Sequence, residues 1–417
     1  MTQDNMDRRN FLKAAGGAGL MIIRPELVRG TQANSAVRVG LLGCGGRGTG
    51  VAEGMVQNAG ARITALGDMF EDQLTKAKAH FDPMGVVDPS QLFSGPHAAE
   101  KIAASKEVDA VYIATPPYFH TKQLETVVAA GKHVYCEKPV GVDVPSAKRV
   151  IELGKKIDGK LSLDVGFQIR EGTPYKEIVR RIQAGALGTI TGGEAYYFCP
   201  LIDRPEWPGV SAQTARLRNW IYDKVLSGDI IVEQNIHVID ICNWTLNGHP
   251  VKAVGTGGRK GRTEKGDCWS HFNVIFTYPE DVHVSFTSTQ FGKVAFGASE
   301  KFFGTKGSSD SPYSGPLGIS GEEPWTYGSG AKQEAGGAFS ATGSFSDNLA
   351  DADPNKQKSW IESIKSGKFH NQAALGAESA LSAMLGRQAA YTGRPWTWDE
   401  LLKSNEKYDA GINFEKL

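Results

Sequence analysis

The sequence predicts an α/β fold in two parts: a doubly wound parallel sheet first, then an α+β half with a large, mostly antiparallel open sheet. Three observations predict it. Val37 to Gly48, VRVGLLGCGGRG, is an apolar run that breaks into a glycine-rich loop. Strand and helix patterns then alternate to about Arg170, the order that builds a parallel sheet with right-handed crossovers. Beyond Gly188, aromatic and β-branched residues alternate with polar ones, the mark of half-buried antiparallel strands.

The first run carries the most chemistry. Its opening, VRVGLL, is apolar or glycine at five of six positions, as suits a strand buried on both faces. Gly43-Cys44-Gly45-Gly46-Arg47-Gly48 is then a G-x-G-x-x-G, and Thr49 to Asn58 continues as a helix. Strand, glycine loop and helix in that order make a dinucleotide-binding (Rossmann) unit. Gly43 permits the tight turn, Gly45 lets backbone approach a pyrophosphate, and Gly48 lets the helix pack close to the strand. The helix N-terminus offers unpaired N–H groups and partial positive charge to the phosphates. Asp68 ends the next apolar run, 25 residues beyond Gly43. A carboxylate there accepts ribose hydroxyls and repels a 2′-phosphate, so the expected cofactor is NAD rather than NADP. The plainer alternative is a carboxylate that merely ends a strand.

A chain of 417 residues is expected to hold two domains. The division read from the pattern is 1–35 as a targeting segment, 36–168 as the NAD-binding domain, and 169–417 as an α+β domain for substrate and oligomerisation. Charge is balanced at 46 basic against 46 acidic residues, which gives no general attraction to nucleic acid or to a membrane surface. Cys44, Cys136, Cys199, Cys242 and Cys268 are odd in number and form no CxxC, which argues against a disulfide framework or a zinc site. Asp7-Arg8-Arg9-Asn10-Phe11-Leu12-Lys13 resembles a twin-arginine export signal, and apolar Ala14 to Ile23 follows it. That stretch is too short to span a bilayer, so no stable membrane insertion is expected. Cleavage is expected between Thr31 and Ser35, leaving the protein in the periplasm or cell envelope, with the export machinery as a partner. The alternative is a basic tail before an ordinary helix. The twin-arginine route moves folded proteins, so the cofactor would be loaded before export.

Within the first half, Val108 to Ala114 reads as a buried strand ended by Thr115-Pro116-Pro117. His120 to Ala130 is a helix with Gly131 as its stop. His133 to Cys136 is the next strand, Val144 to Ile157 a helix, and Leu161 to Phe167 another strand. Ligands of such sheets bind at the carboxyl ends of the strands, which points to Glu137-Lys138-Pro139. The Lys138 ammonium could hydrogen-bond a substrate hydroxyl and help its proton leave as hydride departs from the same carbon. Pro139 suits a cis bond that aims Lys138 inward. The alternative is a solvated loop lysine.

In the second half, Gly188 to Phe198, Val251 to Gly255 and a hairpin around Tyr278-Pro279-Glu280-Asp281 supply the open sheet. Between them lie Arg218-Asn219-Trp220 and the stretch Ser227 to Asp240. Ser227 or Asp229 caps a helix on which Glu233 and His237 share a face, with Asp240 one turn on. A carboxylate and an imidazole so placed can accept and pass a proton; a structural pair is the alternative. The E-x-x-x-H spacing lacks further ligands, so no metal is expected. Ser308 to Gly343, rich in Gly, Ser and Pro, is either a substrate-wall loop or a partner arm. Its Trp325 and Tyr327 either stack on a sugar face or pack on the sheet.

Together the glycine loop, Asp68, Thr115-Pro116-Pro117 with His120, and Glu137-Lys138-Pro139 resemble the glucose–fructose oxidoreductase / inositol dehydrogenase (Gfo/Idh/MocA) family. The resemblance covers nearly all of the chain beyond the targeting segment. It implies Lys138 and His237 as catalytic residues, with Glu233 beside them where the family's dehydrogenases carry Asp. It implies cofactor contacts from Gly43, Gly45, Gly46, Arg47, Gly48, Asp68, Thr115, Pro116, His120, Glu137 and Lys138. Gln168, Arg170, Arg218, Asn219, Trp220, Asn235 and Asp240 are weaker candidates for polyol contacts, with structural hydrogen bonds as the alternative. Arg218-Asn219-Trp220 and Glu233-Gln234-Asn235 look like an exported subgroup, and a homo-oligomer built on the outer sheet face is expected. The implied activity is oxidation of a hydroxyl carbon of a sugar, polyol or glycoside, with hydride passed to a tightly bound nicotinamide. Two alternatives stay open. One is glycoside hydrolysis through transient oxidation, elimination, hydration and re-reduction; the other is a non-catalytic protein that binds NAD and sugar.

Overall fold

The computed structural model describes residues 36–263, 266–328 and 346–417. The twin-arginine motif, the apolar stretch after it and the expected cleavage region lie outside the described residues. Strand β1 (Arg38–Leu42) is buried from its second residue onward, as its apolar sequence requires. The chain then turns at Gly43, whose φ of +98° suits only glycine and whose added Cβ would sit 2.5 Å from the Ala114 carbonyl carbon. Helix α1 (Gly46–Ala59) begins three residues before the predicted Thr49. The last glycines of the loop thus form its first turn, and Thr49 N–H bonds the Gly45 carbonyl at 2.9 Å.

The first layer continues as β2 (Arg62–Asp68), α2 (Glu71–Phe81), β3 (Leu92–Ser94), α3 (Ala98–Ala104), β4 (Ala110–Ile113), α4 (His120–Ala129), β5 (His133–Cys136), α5 (Val144–Ile157) and β6 (Leu163–Val165). The six strands are parallel in the order β3-β2-β1-β4-β5-β6. The order reverses between β1 and β4, which opens a crevice above their carboxyl ends. The glycine loop, Asp68 and the Glu137-Lys138-Pro139 loop all sit on that side.

The second half comprises α6 (Thr173–Gln183), β7 (Ile190–Cys199), α7 (Ala212–Arg218), α8 (Lys224–Ser227), α9 (Ile230–Glu233), α10 (Ile236–Thr245), β8 (Lys252–Gly258), β9 (His271–Thr277), β10 (His283–Gln290) and β11 (Gly297–Gly304). Then come β12 (Gly307–Asp310), β13 (Gly318–Gly321), β14 (Trp325–Thr326), α11 (Ala352–Ser366), α12 (Ala373–Thr392), β15 (Trp396–Thr397) and α13 (Trp398–Lys403). Its strands form one nine-stranded sheet, β14-β13-β12-β11-β7-β10-β9-β8-β15. Only β7 and β10 pair in parallel; the remaining neighbours are antiparallel. Alternation decides the faces: Ala195, Tyr197 and Cys199 are buried toward the helices, while Glu194, Tyr196 and Phe198 point outward.

Three findings differ from or add to the reading of the sequence. The single helix expected from Ser227 to Asp240 is broken at Gln234-Asn235, between α9 and α10. The Gln234 and Asn235 N–H groups both reach the Ile230 carbonyl at 2.9 Å, a widened turn. The Gln234 amide is drawn to the sheet, donating to Cys199 Sγ at 3.3 Å and accepting from Gln290 at 3.1 Å. The Gly/Ser-rich stretch begins as three short edge strands, β12 to β14, and Trp325 in β14 packs 4.7 Å from the Arg181 guanidinium; residues 329–345 lie outside the described set. Helix α11 returns to the first layer, where Trp360 and Ile361 join Val51 and Met55 in one core. Among the described residues no helix is long and apolar enough to cross a membrane.

A paired substitution tests the glycine loop. A Cβ on Gly48 would lie 1.9 Å from the Gly43 carbonyl oxygen, whereas one on Gly46 meets nothing within 4 Å. Gly48→Ala is therefore expected to lower the unfolding free energy in urea by about 1–3 kcal/mol through overpacking. Gly46→Ala is expected to leave it unchanged or raise it by up to about 1 kcal/mol.

Candidate active site

The carboxyl end of β5 delivers Lys138 into the crevice, across a cis Lys138–Pro139 bond. Its ammonium donates to the Glu233 carbonyl and lies 3.1 Å from Glu233 Oε1. The two side chains are only 12% and 14% exposed, so this ion pair is largely out of water. Glu233 is the last residue of α9, and its length lets it meet a lysine carried by the other sheet.

His237 lies just past the helix break, in the first turn of α10. Phe167 packs edge-on to its ring at 6.2 Å, and its Nδ1 is buried without a partner. Burial, then the charges of Lys138 and Arg47, hold its pKa well below the usual histidine value. At neutral pH the imidazole is therefore uncharged and able to accept a proton. Gln168 Oε1 and both amide atoms of Asn235 are also buried without partners. Such orphaned groups cost about 1–3 kcal/mol each. Gln168 follows Phe167 directly, and Asn235 lies two residues before His237.

Asp229 anchors the approach to Glu233. Its backbone, at φ 71° and ψ 164°, lies in a region essentially reserved for glycine, a strain of about 1–3 kcal/mol. Its carboxylate is held by the N–H groups of Ile230 at 2.6 Å and Trp269 at 3.2 Å and by the Tyr391 hydroxyl at 2.5 Å. The Arg387 guanidinium also donates to the Gly228 carbonyl at 2.8 Å. Two separate segments, one at Trp269 and one in α12, thus fix the corner between α8 and α9 that aims Glu233. The aspartate reads from sequence as a cap, but its partners 40 and 162 residues away do not.

Several expected cofactor contacts also organise the loops around the crevice. The Arg47 guanidinium pairs with Glu137 Oε1 at 2.9 Å and with both oxygens of Asp353 at 2.9 and 3.0 Å. Glu137 Oε1 also accepts the Tyr112 hydroxyl at 2.9 Å. His120 places its two ring nitrogens 2.7 Å from the Pro139 and Thr115 carbonyls, tying the loops after β4 and β5 together. Those carbonyls favour a protonated ring, but burial opposes them more strongly and lowers its pKa. The Thr115 hydroxyl donates to Gln123 at 2.5 Å, and Pro116 precedes a 3₁₀ turn at Pro117–Phe119.

The residues that remain fit a dinucleotide. Gly45 and Gly46 border open space at the N-terminus of α1, where an added Cβ meets nothing within 4 Å. Asp68 accepts the N–H groups of Cys44 at 2.7 Å and Phe70 at 2.9 Å, one on each oxygen. Each oxygen keeps a second acceptor site. Burial raises its pKa, and the two N–H groups offset part of that rise.

The expected polyol contacts divide. Arg170 grips both oxygens of buried Asp240 at 2.7 and 2.8 Å, and Ser379 donates to the same carboxylate at 2.6 Å. In this structure both residues are engaged in the packing between helices, in line with the structural alternative. Arg218 lies away from Lys138: it stacks 3.9 Å from the Phe70 ring and 4.4 Å from Trp207, and pairs with Asp72 at 2.6 Å. That is the Asp68 end of the crevice. Asn219 accepts the Trp207 indole N–H at 3.2 Å, and Trp220 packs in the same apolar cluster as Phe70. Among the described residues no group of three or more His, Cys, Asp or Glu could hold a metal ion.

Comparison with known proteins agrees with this geometry. Residues 37–165 match the model of an oxidoreductase family with an NAD-binding Rossmann fold, GFO_IDH_MocA, and residues 175–310 match the GFO/IDH/MocA C-terminal domain. The chain belongs to the Gfo/Idh/MocA family. This Gfo/Idh/MocA chain is 30% identical over 208 residues to a glycosyl hydrolase family 109 protein of Solibacter usitatus, covering 46% of each chain. It is 30% identical over 223 residues to inositol 2-dehydrogenase 4 of Saccharopolyspora erythraea, covering 53% of this chain and 57% of that one. The matched regions span about half the length of these two relatives. An aldose-aldose oxidoreductase from Caulobacter crescentus has the same fold, with a TM-score of 0.68 at 18% identity over 87% of this chain and 99% of its own.

The structural role of Asp240 is open to a direct check. Asp240→Asn strips a largely buried guanidinium of its charged partner and is expected to cost up to about 3 kcal/mol of stability in urea. Weaker sugar binding at unchanged stability would return Asp240 to the site.

Proposed function

We propose that this protein oxidises a hydroxyl-bearing carbon of a sugar, polyol or glycoside, with hydride passing to NAD bound in the crevice of the first sheet. The observation that carries the reading is the Lys138–Glu233 pair, drawn from both halves of the molecule, within charge reach of a neutral His237. Gly45, Gly46 and the N-terminus of α1 would hold the pyrophosphate, and Asp68 the ribose hydroxyls. Its charge disfavours a 2′-phosphate and supports NAD over NADP.

Bound nicotinamide supplies the hydride acceptor. The protein supplies the rest. Lys138 turns from the Glu233 carbonyl to donate a hydrogen bond to the substrate hydroxyl oxygen. His237, uncharged before reaction, takes the hydroxyl proton as the carbonyl forms. Glu233 offsets the second positive charge that then appears beside Lys138. Without it, two cations would share one buried site.

Similarity to a glycosyl hydrolase family 109 protein supports a second reading, in which transient oxidation leads to loss of a glycosidic substituent and the carbon is reduced again. We also propose pairing of two copies through the outer sheet face, where Ile275 and Phe303 stay 43% and 41% exposed. Export by the twin-arginine route is supported by Arg8, Arg9 and the apolar stretch after them.

Addition of a sugar panel to NAD-loaded protein should raise the absorbance of reduced nicotinamide, and Lys138→Met and His237→Asn should each slow that rise by about 10²–10⁴-fold with NAD still bound. Cleavage of aryl glycosides without net reduction would select the second reading. Binding without either signal would leave a non-catalytic protein. Because the His237 pKa is depressed below 6.5, its base form persists as pH falls, so the acid limb of the single-turnover rate should have its midpoint below pH 6.5. A midpoint at or above 6.5 would remove His237 from the role of base.

A further inference from the structure

Residues 404–417 follow α13 and contain one 3₁₀ turn, Phe414–Lys416. Their contacts run in order across the carboxyl ends of the first sheet. Tyr408 N–H donates to Asp143 at 2.7 Å, beyond β5. Ala410 N–H donates to the Tyr118 hydroxyl at 3.4 Å, and its carbonyl accepts from Arg216. Phe414 meets the Phe119 ring at 5.2 Å, in the loop after β4. Glu415 lies 3.2 Å from His97, beyond β3. Strands β1 and β2 lie between β4 and β3. The segment therefore crosses the side of the sheet on which Met69 and Phe70 follow Asp68. Ile412 and Phe414 share with Met69, Phe70 and Phe119 one apolar cluster built on Leu217, Leu226 and Ala410, while Arg218 stacks on Phe70.

We infer that residues 408–417, with Arg218 beneath them, form a strap that closes the adenosine end of the nucleotide crevice and keeps the dinucleotide resident through successive turnovers. The inference rests on the NAD-binding reading above. The His97–Glu415 pair is exposed at both ends and contributes little; the apolar contacts of Ile412 and Phe414 hold the strap down.

The test loads the full protein with radiolabelled NAD, passes it through gel filtration and chases it with excess unlabelled NAD. Wild type should keep its label through filtration. The Ile412→Ser/Phe414→Ser variant should release it at least about tenfold faster, the factor that ~1.4 kcal/mol of lost closure gives. In wild type, NAD loading should also slow hydrogen exchange at the amides of Tyr408, Ala410 and Asn413, which needs no variant to fold. Equal release rates, or unchanged exchange at those amides, would overturn the strap. Failure of wild type to take up NAD at all would overturn the nucleotide reading itself.

Discussion

The contact between Lys138 and Glu233 is the constraint from which the rest of the site follows. It crosses from the first sheet to the helices of the second, and each end is fixed independently. Lys138 rides on β5, behind a mesh in which Glu137 binds Arg47 and Tyr112, and Arg47 binds Asp353. Glu233 ends a four-residue helix started by a strained aspartate and stopped by a glutamine drawn onto the sheet. A partly buried ion pair of this kind contributes little to net stability, because desolvation offsets most of the attraction. Its role is to hold one arrangement of charge.

That arrangement contributes to the state of His237. Burial of the ring first, and then the nearby Lys138 and Arg47 cations, favour the neutral imidazole. The same surroundings penalise the imidazolium once it forms, and in the mechanism we propose Glu233, paired with Lys138, is the anion that offsets it. The break at Gln234-Asn235 matters because it lets Glu233 and His237 sit on separate short helices.

Much of this was legible in the sequence because it is local. The turn at Gly43, the close packing at Gly48, the strand ending in Cys136 and the helix Val144–Ile157 follow from backbone freedom and apolar periodicity. The placement of Lys138 followed from the rule that ligands bind at strand ends. What was not legible depends on contacts distant in sequence. Arg47 reads as a cofactor contact, and its pairing with Asp353, 306 residues away, is invisible in the sequence. Asp240 reads as a site carboxylate until Arg170 and Ser379 enclose it. Arg218 reads as part of a sugar pocket, but α7 carries it to the Asp68 end of the crevice. The helix break was hidden because apolar spacing through Ile230, Ile231 and Ile236 continues smoothly across it.

The structure of the protein with NAD and a polyol or sugar bound tests the central claim most directly. Lys138 Nζ should lie within about 3.2 Å of the hydroxyl oxygen on the carbon that faces the nicotinamide, with a His237 ring nitrogen on the same oxygen and Glu233 still beside both. A ligand whose reacting hydroxyl touches neither residue, with Lys138 still closed onto the Glu233 carbonyl, would contradict the account.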